Sequence, residues 1–250
     1  ADVSICSGAY TLTGASSSNV SSVVWTVANG TGLLVNASTL NPTYSPSAQD
    51  IINGFAILVL EGSPLSPCSA SASDSVVISI YQVPAVNAGA DDQSCEDDIY
   101  TVSDASASYY TSLNWVTSGS GTLTNETTLN PTYAPSAADL TAGTVTLTLT
   151  ASNPGCGSVS DSKTITFTGM PTVDAGPDLN ICENTNITIG GATALNYASI
   201  AWTTSGTGTF ANGNTVSPTY TPSASDISSG VVTLTLTATP IAPCGGTLSA

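Results

Sequence analysis

The sequence predicts an all-β protein made of three tandem immunoglobulin-like β-sandwich repeats, the third lacking its last strand. Three observations lead to this prediction. A set of residues recurs at a spacing close to 90 residues, apolar and hydroxyl residues alternate with period two, and no stretch shows a helical apolar pattern of useful length. Several short strands per repeat, separated by Gly, Asn and Ser turns, are typical of a two-sheet sandwich.

Three markers define the repeat. Trp25, Trp115 and Trp202 lie 90 and 87 residues apart. Each follows one cysteine by 19 or 20 residues, and a second cysteine comes 61 or 62 residues after the first. The motif Pro-Thr-Tyr-x-Pro-Ser-Ala-x-Asp also returns once per unit, ending at Asp50, Asp139 and Asp226. The markers predict units at residues 1–83, 84–170 and 171–250.

The units are joined by two short Pro-x-Val-x-Ala-Gly stretches, residues 84–89 and 171–176. Such connectors predict an extended, stiff joint and therefore a rod. Unit one lacks this lead-in, and unit three stops before a counterpart of residues 76–81 or 163–168. We expect the chain to be a window of a longer array whose downstream sequence supplies the missing strand, since an open sheet edge is a liability.

Strand alternation is plainest late in each unit. Val145, Leu147 and Leu149 alternate with threonines, as do Val232 and Leu234 in unit three, which predicts apolar side chains inside and hydroxyls outside. The tryptophans fall on core-facing positions of similar strands. Only the Ser-Ala-x-Asp segments that end each motif are helix-like, and we expect one short turn in each. Their aspartates are interpreted as turn caps that accept backbone N–H bonds, in preference to catalytic acids.

Six cysteines allow 15 pairings, of which a threefold repeat makes one simplest. The expected bridges, one in each unit, are Cys6–Cys68, Cys95–Cys156 and Cys182–Cys244. Closing each loop is worth about 4 kcal/mol in the chain-entropy model and implies an oxidising, extracellular location. Three pairs of reduced, buried thiols are the alternative.

The charge balance excludes several function classes. Seventeen acids face a single base, Lys163, and there is no histidine, for a net charge of −16. A nucleic-acid groove needs cations and a serine nucleophile needs a base, so neither nucleic-acid binding nor an enzyme is predicted. No apolar run has the length of a membrane span.

Acidic residues gather at the joints and suggest one cofactor. The aspartates concerned are Asp91, Asp92, Asp97, Asp98, Asp174 and Asp178. Clustered carboxylates suit Ca²⁺, and a bound ion would stiffen the rod. The alternative is a solvated acidic surface that keeps the array extended by self-repulsion. No other cofactor is indicated.

Several repeated strings resemble a known family. Residues 171–178 (PTVDAGPD), 202–208 (WTTSGTG), 218–226 (PTYTPSASD) and 232–238 (VTLTLTA) are similar to the tandem repeats of SprB-like gliding-motility adhesins. The resemblance implies a very long outer-surface filament, exported by type IX secretion, whose repeats have no catalytic residues. It also implies O-glycosylation at Asp-Ser/Thr-apolar sites, which Ser75 matches.

The predicted function is a non-catalytic stalk segment of a cell-surface adhesin that serves attachment and gliding. Its expected partners are the neighbouring repeats and a surface polysaccharide or protein. Two alternatives remain open. One is a set of carbohydrate- or protein-binding modules of a secreted multidomain enzyme, and the other is a filament subunit that polymerises by strand donation.

Overall fold

The computed structural model describes residues 1–183 and 185–250. Every sheet in this part of the chain takes its strands from one unit only. In unit one the elements are β1 (Val3–Cys6), β2 (Tyr10–Thr11), β3 (Val20–Asn29), β4 (Leu33–Val35), β5 (Thr43–Ser45), α1 (Ala48–Asn53), β6 (Phe55–Pro64) and β7 (Ala72–Tyr81).

Unit two has two strands that unit one lacks, one at its start and one between the strands that correspond to β2 and β3. Its elements are β8 (Ala85–Asn87), β9 (Asp92–Cys95), β10 (Tyr100–Thr101), β11 (Ser106–Ser108), β12 (Ser112–Thr117), β13 (Thr122–Thr124), β14 (Thr132–Ala134), α2 (Ala137–Ala142), β15 (Thr144–Asn153) and β16 (Gly157–Thr168).

Unit three resembles unit two but has a shortened end and, among its described residues, no strand that corresponds to β9. Its elements are β17 (Thr172–Asp174), β18 (Ile187–Thr188), β19 (Thr193–Leu195), β20 (Tyr197–Thr204), β21 (Thr209–Ala211), β22 (Thr219–Thr221), α3 (Ala224–Ser229), β23 (Leu234–Pro240) and β24 (Leu248–Ser249).

Each unit is a sandwich of one larger sheet and one three-stranded sheet, to which units two and three each add a two-stranded sheet, β8-β11 and β17-β19. The large sheet has the order β1-β7-β6-β3 in unit one and β9-β16-β15-β12 in unit two. Its first pair is parallel, because the lead-in strand runs alongside the last strand, with Cys6 opposite Tyr81 and Cys95 opposite Thr168. The small sheets are β2-β5-β4, β10-β14-β13 and β18-β22-β21.

The predicted alternation determines which side chains face the core of each unit. Trp25, Trp115 and Trp202 are 6%, 2% and 7% exposed, so all three face inward as the alternation predicts. Leu147 and Leu149 on β15 are fully buried and pack with Trp115. Removing such apolar side chains from water stabilises each unit by about 25 cal/mol per Å² of buried apolar surface.

The short helices form where the motif predicts them. Asp50 and Asp139 each complete a capping box with the serine three residues earlier, and a left-handed glycine ends each helix at Gly54 and Gly143. Asp226 does the same in unit three. The interpretation of these aspartates as caps is confirmed.

The structure adds a buried partner that the motif did not reveal. Tyr133 donates its hydroxyl to Asp139 Oδ2 at 2.7 Å, and the backbone N–H of Ser120 donates to Oδ1 at 2.9 Å. Tyr44 and Tyr220 make the same bond, at 2.7 and 2.8 Å. The aspartate therefore ties the helix, the central strand of the small sheet and a preceding Gly-x-Gly loop together.

These contacts set the ionisation of the pair. Burial raises the pKa of Asp50, but hydrogen bonds from Ser47 N, Tyr44 Oη and Thr31 N outweigh it and bring the pKa to about 2. Burial, reinforced by the bond to Asp50, raises the pKa of Tyr44 to about 12. Each unit thus holds a carboxylate and a neutral phenol at pH 7.

The single lysine lies in the core of unit two. Lys163 is 1% exposed, its Nζ donates to Asp104 Oδ1 at 2.8 Å, and it lies 5.4 Å from the ring centre of Tyr100. Burial lowers the pKa of Lys163, but the interactions with Asp104 and Tyr100 raise it by more, so the net shift is upward and the amine stays charged. Unit one has Val76 and Gly14 at the two aligned positions.

Unit three differs from its siblings where its last strand is short. β24 is only a two-residue start of that strand, and it pairs with β23 at Ala238. Val232 was expected in β23, yet β23 begins at Leu234 because the partner strand that pairs with this region in the other units is lacking. The result is a groove of about 680 Å³, lined by core residues that include Ile189 and Trp202.

Candidate functional site

The two joints between units are the candidate functional site, because each is closed by a disulfide. Cys6 bonds to Cys156 and Cys95 bonds to Cys244, with Cα–Cα distances of 4.6 and 4.8 Å. Each bridge connects a lead-in cysteine to the hairpin cysteine of the following unit. The remaining two cysteines, Cys68 and Cys182, are unpaired and exposed.

The expected pairing within units is therefore wrong for all three bridges, Cys6–Cys68, Cys95–Cys156 and Cys182–Cys244. The reason is the parallel pairing of β1 with β7. It places Cys6 beside Tyr81, whereas Cys68 lies in the hairpin that precedes the start of β7 at Ala72. Cys68 and Cys6 therefore lie near opposite ends of β7, which are about 30 Å apart. A disulfide requires a Cα–Cα distance below about 7 Å.

The first joint is also closely packed. Asn153 donates its side-chain amide to the carbonyl of Gln82 at 2.8 Å and to that of Tyr109 at 2.7 Å. A Cβ on Gly155 would lie 2.7 Å from Tyr81 Cδ2 and would collide with the carbonyl group of Ile5. The absent side chain lets the hairpin of unit two reach unit one.

The second joint repeats this arrangement with different side chains. Asn196 of unit three donates its side-chain amide to the carbonyl of Met170 of unit two at 3.2 Å, and within unit two Glu96 accepts the backbone N–H of Met170 at 2.8 Å. The Sδ of Met170 lies 3.4 Å from Cys95 Sγ. Cys95 and Cys244 are 2% and 7% exposed, so this bridge is shielded from solvent.

The acidic residues at the joints occupy separate places and contact different groups. Asp91 accepts the N–H of Thr164, Asp92 accepts the hydroxyl of Tyr100, and Asp174 accepts the N–H of Gly176. Asp97 and Asp98 lie close together beside the bonded sulfur of Cys95. Asp178 lines the groove of unit three.

These six aspartates therefore do not converge on one point. Calcium at the joints, with these aspartates as ligands, stays a prediction.

The glycosylation candidate lies on an exposed strand. Ser75 is on β7, is exposed, and donates its backbone N–H to Asp74 at 2.9 Å. Its modification stays a prediction.

Solved structures share this architecture. A three-domain titin structure, domains I67–I69 in an E-to-A mutated variant, matches 99% of this chain and 93% of its own, with 12% identity and a TM-score of 0.56. The I-band fragment I67–I69 from titin matches 100% and 92%, with 12% identity and a TM-score of 0.55. The fold is that of tandem immunoglobulin domains.

At these identities the likeness concerns the fold alone. No protein-family model matches the chain, and no curated protein matches it either. Within the described residues, no helix is long and apolar enough to cross a membrane.

Sequence reasoning missed the joint itself. The sequence signal that could have indicated the joint is the presence of small residues beside the cysteines, such as Gly155. Their role becomes visible only when the neighbouring unit is in place. Asn153 and Glu96 gave no signal, because a single polar side chain near a turn is ordinary.

Proposed function

We propose that this chain is a non-catalytic stalk segment of a long cell-surface adhesin filament that serves attachment and gliding motility. The observation that carries the proposal is the covalent bridge across each joint. A disulfide and close packing together oppose hinge motion between units, and resistance to bending is what a stalk requires. The same bridges support oxidising, extracellular surroundings.

The distribution of charge supports an extended, exposed role. The chain carries a net charge of −16, and its single lysine is 1% exposed. Like charges along a rod repel one another and oppose collapse. A trypsin-like protease also finds its one site buried, which suits a protein exposed outside the cell.

Export by a type IX system and movement of the filament along the cell belong to the same proposal. They rest on the resemblance of the repeats to gliding-motility adhesins. The partners we propose are the adjacent repeats of the same chain and a surface polysaccharide or protein ligand.

The test is surface labelling in the producing bacterium. An antibody against residues 1–250 should label filaments on intact cells, and bound antibody should slow the gliding of living cells. The matched control is an antibody against a periplasmic protein, which should do neither. Labelling only after the cells are permeabilised would contradict the proposal.

The groove of unit three favours a second candidate, a filament subunit that receives a strand. In units one and two this position is filled by β7 and β16. A synthetic peptide of residues 157–170, added to the chain, should raise the melting temperature of unit three if the groove accepts a strand. The matched control peptide carries Ile165→Asp, because Ile165 is fully buried in unit two.

A further inference from the structure

The main chain and a disulfide cross each joint side by side. At the first joint, Cys6 lies opposite Tyr81 in the parallel pair of β1 and β7, and Cys156 Sγ lies 3.4 Å from the carbonyl oxygen of Tyr81. The second joint repeats this geometry, because Cys244 Sγ lies 3.2 Å from the carbonyl oxygen of Thr168. Neighbouring units are therefore linked by two covalent connections that lie next to each other.

One covalent connection continues through unit two as the strand β16. This strand begins directly after Cys156 of the first joint, and its last residue, Thr168, lies opposite Cys95 of the second joint. Its pairing with β15 shows no register shift, so the strand is extended along its length. At about 3.4 Å per residue, the 12 steps from Cys156 to Thr168 span about 41 Å. We call the bridge Cys6–Cys156 together with residues 157–170 the strand line.

The other covalent connection runs beside the first as the lead-in of unit two. The backbone N–H of Ala88 donates to Asp161 Oδ2 at 2.8 Å, and β9 pairs in parallel with the end of β16 as far as Cys95. These contacts all join a lead-in residue to the β16 residue 73 positions later, so the lead-in is as extended as the strand. We call residues 82–95 together with the bridge Cys95–Cys244 the lead-in line.

The rest of unit two is much longer than the distance that it spans. Residues 96–155 leave the lead-in line at the second joint and reach the strand line at the first, and they include Trp115 and Leu149 of the core. Their 61 residue steps can reach at most about 220 Å. The two lines hold the joints about 41 Å apart. A segment with this much spare length carries no tension while the lines are intact.

We propose that the strand line and the lead-in line carry any tension on unit two, so that pulling loads covalent bonds and leaves the sandwich core folded. The 12 steps from Cys156 to Thr168 reach at most about 43 Å, which is close to the span that they already have. Unit two therefore cannot lengthen by unfolding. This inference deepens the proposed stalk function, on which its use in the cell rests, because such a stalk transmits a pull without growing longer.

The test is single-molecule stretching of the whole chain between a peptide tag at its amino terminus and Cys182, whose exposed thiol takes a maleimide handle. Cys68→Ser removes the other unpaired cysteine in every sample. The strand line leaves five residue steps to Cys6 and 26 from Cys156 to Cys182, 31 in all. The tether should therefore lengthen smoothly and stop at about 110 Å, since a residue step reaches at most about 3.6 Å.

Two double variants provide the comparison. Cys6→Ser with Cys156→Ser should unfold stepwise and reach about 560 Å, fivefold further. The shortest covalent route then has 94 residue steps to Cys95 and 62 from Cys244 back to Cys182. Cys95→Ser with Cys244→Ser is the matched control, which also lacks one bridge but should keep the limit of about 110 Å because its strand line is intact.

Stepwise lengthening of the parent chain past about 110 Å would overturn the proposal, as would equal tether lengths of the two double variants. Neither result decides whether the protein is a surface stalk, because antibody labelling of intact cells tests that separately. Failed labelling would in turn leave the load path through unit two unchanged, so the two failures are distinguishable.

Discussion

At the scale of single residues, each unit is stabilised by an ionised aspartate held among backbone N–H groups and a tyrosine hydroxyl. Asp139 receives bonds from Ser120 N, Ser136 N and Tyr133 Oη, all between 2.7 and 2.9 Å. A carboxylate that accepts several such bonds is strongly favoured over its protonated form. The same arrangement occurs in all three units, so its effect on stability is repeated three times.

Acid should therefore destabilise the protein. The pKa of Asp50 is about 2 in the folded chain, against about 3.9 in an unfolded one. A lowered folded pKa contributes stability above pH 4 that is lost as the pH falls from 4 toward 2. We expect the melting temperature to fall across this window, measured by circular dichroism. The variant Asp139→Asn should lower the free energy of unfolding at pH 7 by about 2 kcal/mol. Its melting temperature should also fall less between pH 4 and pH 2 than that of the parent protein.

A melting temperature that stays constant from pH 5 to pH 2 would contradict this account of the aspartates. Tyr44 gives an independent check at high pH. Its pKa is raised from 10 to about 12, so its contribution is complete below pH 10 and is lost as the pH rises toward 12.

Removing the partner of the buried lysine should destabilise the protein. Lys163 is almost fully buried, whereas the side chain of Asp104 is 46% exposed. Asp104→Gly leaves a buried charge unpaired and should cost about 3–5 kcal/mol. Lys163→Val leaves a carboxylate that water can solvate and should cost less.

The double variant Asp104→Gly with Lys163→Val reproduces the pair found in unit one and should be close to the parent protein. Urea unfolding of the four chains measures the coupling. Additive effects of the two substitutions would contradict the buried ion pair.

At the scale of elements, the parallel pairing of the lead-in strand with the last strand decides where the cysteines lie. It carries Cys6 to the joint, next to the hairpin that bears Cys156. The bridge spans 150 residues of sequence, which in the chain-entropy model is worth about 5 kcal/mol. The same bond restricts the angle between two units.

Removing the first bridge should loosen one joint while leaving the sheets intact. The variant Cys6→Ser with Cys156→Ser should keep its circular dichroism spectrum, melt at a lower temperature and show a broader range of dimensions in small-angle X-ray scattering. Cys68→Ser is the matched control and should change neither property in a monomeric sample. Equal behaviour of the two variants would contradict a structural role for the bridge.

Calcium at the second joint is tested in the same way. If Asp97 and Asp98 hold an ion, added Ca²⁺ should raise the melting temperature, and the variant Asp97→Asn with Asp98→Asn should abolish the rise. Asp74→Asn, remote from the joint, is the control. No rise in the parent chain would remove the calcium prediction.

At the scale of the whole molecule, the sequence predicts those structural features that depend on the local pattern of residues. Alternation placed Trp115 and Leu149 in the core, and the repeated motif placed the short helix at Asp139. The pairing of the cysteines depends on which end of a sandwich each one reaches, and spacing along the chain carries no such information. The start of β23 at Leu234 depends on a strand that pairs with it, which is equally non-local.

The most direct test of the account is a disulfide map of the folded chain under non-reducing conditions. Digestion with a protease that does not require lysine or arginine, followed by mass spectrometry, should find Cys6 bonded to Cys156 and Cys95 bonded to Cys244. Peptides that join Cys6 to Cys68 or Cys95 to Cys156 would show bridges inside the units, and the covalently braced rod would be refuted.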